Sequence, residues 1–299
     1  MIESFIYILG LIITGSLMRR SVKFPKNTAE VLNSFVLNIS FPAIIIMSIS
    51  KLKLSSEIIY PVTMHWVLYI FHFSLVYFIG KRFHFKKSVL GCLLVVSCLG
   101  NTAFVGIPMT NSFFGADAVP YAILYDQMGS FFAFVFTMSF VIPFYSGQGT
   151  KAPVEIVKGL VKFPPFVALI LGFVSILFPL NSVFENFFQQ ISKTLIPCAM
   201  IAVGYQMRYR IPINRLKPIV FGLTLKLIVV PFVALVIYKS YGSESIALKV
   251  SVLQSGMPPM VTAGVLAMAA NIENEIAAAL VGYGLLFSFL TLPVVYFFI

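Results

Sequence analysis

Ten long apolar segments are the sequence feature that most constrains the fold of this chain. Each has about 16 to 28 residues, enough for a helix to cross the hydrocarbon core of a bilayer with some tilt. Only 10% of the 299 residues are charged, whereas soluble domains carry about 25%, and the mean hydropathy is +0.97. Backbone groups in lipid must bond within their own segment, so the segments are predicted to be helices. The sequence therefore predicts an all-α polytopic membrane protein, with segments at about 3–18, 29–50, 57–80, 88–115, 117–143, 163–180, 183–207, 216–240, 245–270 and 273–299.

The basic residues predict the orientation of these segments. The chain has 21 Lys and Arg against 10 Asp and Glu, and most of the basic residues fall in the odd-numbered connections. A basic excess can indicate a nucleic-acid partner, but this placement suits the cytoplasmic face of a membrane instead. Odd connections in the cytoplasm put both termini outside. The odd connections contain Arg19, Arg20, Lys23, Lys26, Lys81, Arg82, Lys86, Lys87, Lys151, Lys158, Lys162, Arg208, Arg210, Arg215 and Lys217, and the even ones contain Lys51, Lys53 and Lys239.

The fourth segment contains a stretch that is predicted to break its helix. Pro108 has no N–H group and clashes with the preceding turn, while Gly100 and Gly106 flank the polar pair Asn101 and Thr102. Broken backbone at membrane depth persists only where protein, water or a ligand satisfies it. The stretch is therefore predicted to form a binding site, with a packing kink against a neighbouring helix as the alternative.

The ninth segment contains a second predicted interruption, at Pro258 and Pro259. Residues 88–115 align with residues 245–272 in a weak internal repeat, although chance matches among 17 prolines are the alternative. Five segments per half give the halves opposite topology, which predicts inverted repeats over residues 1–150 and 151–299. Helices four and nine would then cross as broken helices. Their converging N-termini would favour an anion, most simply a carboxylate.

Three motifs resemble those of the auxin efflux carrier family of prokaryotes, which includes malate and malonate carriers and is related to plant PIN-type transporters. They are Gly-Asn-Thr-Ala-Phe-Val-Gly-Ile-Pro from residue 100, Phe-Gly-Ala-Asp from residue 114 and Tyr-Asp-Gln-Met-Gly from residue 125, and Pro42 and the 225–231 stretch support them. The long central loop of plant carriers is absent, so its regulation by phosphorylation is not carried over.

The resemblance implies a specific architecture and mode of action. It implies ten helices in a five-plus-five inverted repeat, similar to bile-acid symporters and sodium/proton antiporters. Helices 1, 2, 6 and 7 would form a scaffold, often dimeric, and helices 3–5 and 8–10 a transport unit. It further implies elevator-type transport of organic anions across the plasma membrane of a prokaryote.

The candidate binding residues come mainly from the two interruptions. Ser40, before Pro42, would line the cavity from the scaffold side, with a role as glue between helices as its alternative. Gln127 could bond a substrate carboxylate directly. The predicted substrate-binding residues are Asn101, Thr102, Gly106, Pro108, Gln127, Gly256, Pro258, Pro259, Thr262 and Ser40.

Asp126 and Lys226 are predicted to take part in ion coupling because both lie far from the ends of their segments. An ionised group there costs at least about 2.5–3.5 kcal/mol, so a partner or a wet cavity is expected. The alternative for Asp126 is a structural ion pair with Lys226 or with Lys193, which lies about ten residues into the seventh segment, too central to reach its end easily. Either lysine could instead attract an anionic substrate. His65 and His72 could carry protons, although a membrane histidine more often bonds a neighbouring helix.

These observations predict a secondary transporter of a small organic anion, such as a dicarboxylate or an auxin-like weak acid. A gated organic-anion channel and a carboxylate sensor that moves nothing are the alternatives. No hydrolase, phosphate-loop or metal-ligand motif is found, so we expect no enzyme, metal or cofactor. The expected partners are the anion, membrane lipids and a second copy of the chain. The sequence leaves the coupling ion, H⁺ or Na⁺, undecided.

Overall fold

The computed structural model describes residues 2–52, 55–147, 153–206 and 213–299. Regular structure in these ranges is helical, apart from one isolated antiparallel bridge between Gly100 and Pro259. Of the basic residues used above for orientation, Lys53, Lys151, Arg208 and Arg210 lie outside the described residues. The helices are α1 Ile2–Arg20, α2 Thr28–Ile49, α3 Ser56–Arg82, α4 Lys87–Val96, α5 Ile107–Phe114, α6 Ala116–Ser146, α7 Pro153–Lys162, α8 Pro164–Leu177, α9 Ser182–Ser192, α10 Leu195–Gln206, α11 Leu216–Tyr241, α12 Ile246–Ser255, α13 Val261–Ala269 and α14 Asn274–Phe297.

Five of these helices, α2, α3, α6, α11 and α14, are long and apolar enough to cross a membrane, with lengths from 22 to 31 residues. Three more, α4, α8 and α12, are apolar but shorter. The chain is therefore an integral membrane protein with several spans, as predicted. The count of ten spans, the inverted repeat and the crossing of helices four and nine stay predictions.

The predicted segment 183–207 consists of two helices, which corrects the position assigned to Lys193. Helix α9 ends at Ser192 and α10 begins at Leu195, so Lys193 lies at their junction. Its side chain is exposed, and its Nζ donates a hydrogen bond of 3.2 Å to Oε1 of Gln190. Lys193 is therefore not a deeply buried lysine and needs no buried counter-charge.

Prolines explain four of the five π-helical turns in the described helices. A proline cannot donate to the carbonyl four residues earlier and its ring crowds that carbonyl, so the preceding turn widens. The turns Val36–Ser40, Thr102–Gly106, Thr137–Val141 and Leu225–Val229 each end two residues before a proline, namely Pro42, Pro108, Pro143 and Pro231. The fifth turn, Asp126–Ser130, has no such proline and contains two of the predicted site residues.

The helices group into two compact units, and the first comprises residues 1–55, 103–123 and 153–207. Within it, α1 and α10 approach each other closely at two glycines. A methyl group on Gly15 would overlap the carbonyl of Ile201, and one on Gly204 would overlap the carbonyl of Ile12. Small residues of this kind let membrane helices pack backbone to backbone.

The second unit comprises residues 56–102, 124–152 and 208–299. Its apolar core includes the buried side chains of α4, which pack with those of α11, α13 and α14. Glycines also permit close packing here. A methyl group on Gly129 would overlap the ring of His65, and one on Gly284 would overlap the ring of Pro259. The second unit thus holds both the His65 region and the second proline interruption in close contact with neighbouring helices.

Candidate functional site

Two interrupted segments bond to each other through their backbones in the second unit. Helix α4 ends at Val96 and α12 ends at Ser255, and neither continues through the residues that follow. The amide of Asn101 donates to the carbonyl of Pro258 at 2.7 Å, and the amide of Met260 donates to the carbonyl of Leu99 at 2.9 Å. These two bonds satisfy backbone groups that a membrane interior would otherwise leave unpaired.

A helix begins directly after the second interruption and leaves amide groups beside it. Helix α13 starts at Val261, and Met260 caps it in an extended conformation without a side-chain bond. The first amides of a helix have no partner within the helix and carry partial positive charge. Thr262, the second residue of α13, is half-buried. This end of α13 is therefore suited to a negatively charged group.

Asp126 is buried, and both of its carboxylate oxygens accept hydrogen bonds. Oγ1 of Thr102 donates to Oδ1 at 2.5 Å, and Nε2 of Gln127 donates to Oδ2 at 2.6 Å. Among the described residues, no ion pair involves Asp126. The alternative in which Asp126 forms a structural pair with Lys226 is therefore wrong. Two short hydrogen bonds, rather than a cation, stabilise this carboxyl group.

The amide of Gln127 is committed to Asp126 in this arrangement. Its Nε2 donates to the carboxylate, and its buried Oε1 has no hydrogen-bond partner. The free atom is an acceptor and cannot bond a substrate carboxylate. Direct binding of substrate by Gln127 would thus require its amide to leave Asp126.

Lys226 is 5% exposed and lies in the π-helical turn of α11. Its Nζ donates to the carbonyl of Ser255 at 3.0 Å, where α12 ends. A cation is favourable at this end of a helix because the last carbonyls carry partial negative charge. No acidic side chain in the described residues lies within 4.0 Å of the ammonium. Lys226 is therefore buried without a counter-charge from the part of the chain that the structure describes.

A polar chain of side chains and carbonyls runs between Asp126 and Lys226. Thr102 bonds Asp126 through its hydroxyl, and its carbonyl accepts a long bond of 3.4 Å from Nε2 of Gln254. Gln254 precedes Ser255, whose carbonyl accepts from Lys226. The predicted coupling residues are thus linked through residues of both interrupted segments.

A small cavity of about 20 Å³ lies beside this chain. Its polar lining includes His65, His72, Thr102, Lys226 and Gln254. Such a volume exceeds the roughly 10–15 Å³ that a water molecule requires, but it does not admit an organic anion. The cavity is therefore large enough for a water molecule or a small ion.

Both predicted proton-carrying histidines are buried and line this cavity. Nδ1 of His65 lies 3.4 Å from Oγ of Ser130, and its ring packs edge-on against Tyr125. Nε2 of His65 and Nε2 of His72 have no hydrogen-bond partner within the described ranges. The two imidazole groups therefore have unused bonding capacity inside the second unit.

The remaining predicted binding residues have different positions. Asn101 is buried with an unpartnered Nδ2 beside the backbone bridge. Gly106 ends a π-helical turn and Pro108 is the second residue of α5, both in the first unit. Ser40, also in the first unit, bonds Oγ1 of Thr194 through its hydroxyl at 2.6 Å, as expected for its alternative role between helices. Gly256 directly follows α12.

Gln254 belongs to this polar centre, but it was not among the predicted site residues. It is fully buried, contacts the Thr102 carbonyl and lines the cavity. A signal was available, since an uncharged polar residue four positions before Pro258 lies on the last turn before an interruption. Gly100, which flanks the polar pair, also has a packing role, because a methyl group there would lie 3.1 Å from Nζ of Lys226. Glycine therefore makes room for the ammonium.

Several long apolar helices and a buried polar centre between interrupted segments define a polytopic membrane transport protein. The chain belongs to the membrane transport protein family, whose sequence profile matches residues 1–296, and this is the auxin efflux carrier family indicated by the motifs. An uncharacterized transporter of Methanothermobacter thermautotrophicus is 23% identical over 294 residues, covering 97% of this chain and 96% of its own length. An uncharacterized transporter of Methanocaldococcus jannaschii is 30% identical over 210 residues, or 67% of each chain. Family and relatives indicate a transporter rather than an enzyme.

Proposed function

We propose that the protein is a secondary active transporter of a small organic anion, a carboxylate such as a dicarboxylate or an auxin-like weak acid. The observation that carries this proposal is the bonded pair of interruptions, Asn101 to Pro258 and Met260 to Leu99. Broken segments of this kind form the central sites of many secondary transporters. At an interruption, backbone N–H and C=O groups that a continuous helix would use in its own hydrogen bonds are available to a ligand.

The charges and donors around the interruptions favour an anion. The end of α13 presents amides, Asn101 has an unpartnered Nδ2, and Lys226 has no acidic partner among the described residues. Among the groups named here, Asp126 is the exception, because its carboxylate is negative and would repel an anion. Both of its oxygens, however, already accept hydrogen bonds. We assign the carboxylate of the substrate to the amides of α13 and to Asn101, with Thr102, Gly256, Pro258, Pro259 and Thr262 shaping the surrounding wall.

Asp126 is assigned to coupling rather than to the substrate. A carboxylate repels an anionic substrate, but it can bind H⁺ or Na⁺ and release it. Thr102 connects the coupling group with the substrate site. Its hydroxyl donates a hydrogen bond to Asp126, and Thr102 itself lies next to the first interruption. Binding of an ion at Asp126 would thus alter the first wall of the substrate site.

The proposal includes the finer architecture that the family suggests. We infer ten helices in two inverted repeats, residues 1–150 and 151–299, that carry substrate by an elevator-type movement. Homodimers would form through the scaffold helices in the plasma membrane of a prokaryote. The basic residues of the odd connections support cytoplasmic placement of those connections, with both termini outside.

Flux into proteoliposomes tests the function. Purified protein is reconstituted and screened with a panel of labelled dicarboxylates and aromatic weak acids, first for counterflow and then with imposed H⁺ or Na⁺ gradients. Saturable uptake with counterflow supports a carrier. Large single-channel currents would instead support a channel, and binding without flux would support a sensor.

Asn101→Leu tests the assigned contact. Loss of one hydrogen bond to a charged group costs about 1.5–3 kcal/mol, so uptake at low substrate should fall by roughly 10-fold to 150-fold. Asn38→Leu is the matched control, because Asn38 is exposed and its Nδ2 bonds Ser34 in its own helix. Equal uptake by both variants would remove Asn101 from the site.

A further inference from the structure

The cavity beside Lys226 has the features of an anion site that shares Thr102 with the wall of the proposed carboxylate site but is too small for a carboxylate. Lys226 is almost fully buried, and among the described residues only the Ser255 carbonyl accepts from its ammonium. A buried charge without a counter-ion is costly, so it either loses its proton or acquires a partner. We propose that this cavity binds a small monovalent inorganic anion, chloride being the common one of that size.

The volume of the cavity selects the size of the ligand. About 20 Å³ accommodates one particle of about the size of a water molecule or slightly larger. A carboxylate with its carbon skeleton does not fit. A metal cation is disfavoured because Lys226 supplies positive charge and no carboxylate lines the cavity.

The lining supplies hydrogen-bond donors besides the ammonium. Nε2 of His72 is buried and unpartnered, and Nε2 of His65 is the free ring atom because Nδ1 faces Ser130. A neutral imidazole that carries its proton on Nε2 donates to an anion. The hydrogen bond from Nε2 of Gln254 to the Thr102 carbonyl is long, at 3.4 Å. Rotation of the Gln254 amide would break this bond and turn its NH₂ group toward the cavity.

The glycine at position 100 completes the argument for a built site. A side chain there would begin 3.1 Å from the Lys226 ammonium and would take part of this space. Leu68 and Val230 form part of the apolar wall, so an ion here would be partly removed from water. Partial desolvation strengthens the attraction between an ammonium and a halide.

Chloride binding to the full-length protein in detergent tests the proposal. Radiolabelled chloride binding and thermal stability are measured at constant ionic strength while chloride replaces gluconate, with no organic anion present. Saturable binding of about one chloride per chain, with a matching rise in melting temperature, is expected. Failure here would leave the proposed carboxylate transport untouched, because that function is measured separately by counterflow.

Two variants and a control localise the binding. Lys226→Met should abolish saturable chloride binding, and Val230→Leu, which fills the cavity but keeps the charge, should weaken it at least tenfold. Lys81→Met is the matched control, since Lys81 is exposed and lies over the ring of Tyr77. Wild-type protein without saturable chloride binding would overturn the proposal. So would wild-type affinity in Val230→Leu.

Discussion

Replacement of both prolines of the second interruption should let α12 continue as a helix and disconnect the two segments. Each proline makes a continuous helix about 3 kcal/mol less favourable than alanine would, so Pro258→Ala with Pro259→Ala removes roughly 6 kcal/mol of that penalty. Against this, the Asn101 amide and the Leu99 carbonyl lose their partners. Each orphaned buried group costs about 1–3 kcal/mol, or roughly 2–6 kcal/mol together.

The comparison of these energies predicts that the double variant differs from either single variant. In the double variant, the continuous helix becomes about 6 kcal/mol more favourable, which equals or exceeds the cost of the two lost hydrogen bonds. In a single variant the helix gains only about 3 kcal/mol, which falls short of the upper part of that cost. The double variant should therefore lose counterflow and remain folded. Each single variant should retain part of the activity.

Hydrogen exchange followed by mass spectrometry measures the disconnection directly. In the native protein, the Asn101 amide is protected by its bond to the Pro258 carbonyl. The double variant should exchange faster at Asn101, while α3 keeps its native protection. Pro293→Ala is the control, because Pro293 lies inside the continuous helix α14. Native exchange at Asn101 together with native counterflow in the double variant would refute this reasoning.

Three further predictions concern packing, coupling and pH. Gly15→Ala should destabilise the protein by about 1–3 kcal/mol and lower its melting temperature by a few degrees, because the methyl group would overlap a carbonyl of α10. Gly10→Ala is the control, because its methyl group would meet nothing within 4 Å, and it should leave the melting temperature unchanged. Asp126→Asn should reduce gradient-driven uptake at least tenfold, since an amide cannot exchange H⁺. Thr102→Ser, which keeps the hydroxyl, should transport normally. Unchanged gradient-driven uptake in Asp126→Asn would contradict the coupling role. The hydrogen bond from Lys249 lowers the pKa of the Glu244 carboxyl below its ordinary value of 4.5, so this carboxylate adds stability above that pH and loses it as the pH falls through the lowered pKa. Glu244→Gln should therefore lower the melting temperature slightly at pH 7, with a difference from wild type that shrinks toward pH 3.

The sequence could predict the interruptions because they depend on local chemistry. Pro258 and Pro259 cannot continue a helix, and the backbone at both positions is non-helical. The burial of Asp126 and Lys226 followed from their distance to the ends of apolar segments, and both are buried. In each case the property follows from the residues close by in the chain.

The partners of these residues could not be predicted, because they come from distant parts of the chain. Asn101 pairs with Pro258 across 157 positions, and Asp126 pairs with Thr102 rather than with a lysine. The error at Lys193 has a different cause. Averaging hydropathy over 183–207 concealed an amphipathic helix, α9, followed by a separate apolar helix.

The two buried charged groups of the polar chain both lie on π-helical turns, and this coincidence has a physical reason. A π-helical turn interrupts the regular hydrogen-bond ladder of its helix and bends the backbone, and such turns occur frequently at functional sites. Lys226 is in a turn that Pro231 explains, but Asp126 is in a turn that no nearby proline explains. The widened turn at Asp126 must therefore be stabilised by its tertiary contacts, which include the Thr102 hydroxyl and the indole of Trp66, whose Nε1 donates to the Met128 carbonyl at 3.1 Å. A turn that depends on such contacts changes when they change, which is the property that coupling of an ion at Asp126 to movement of the first interruption requires.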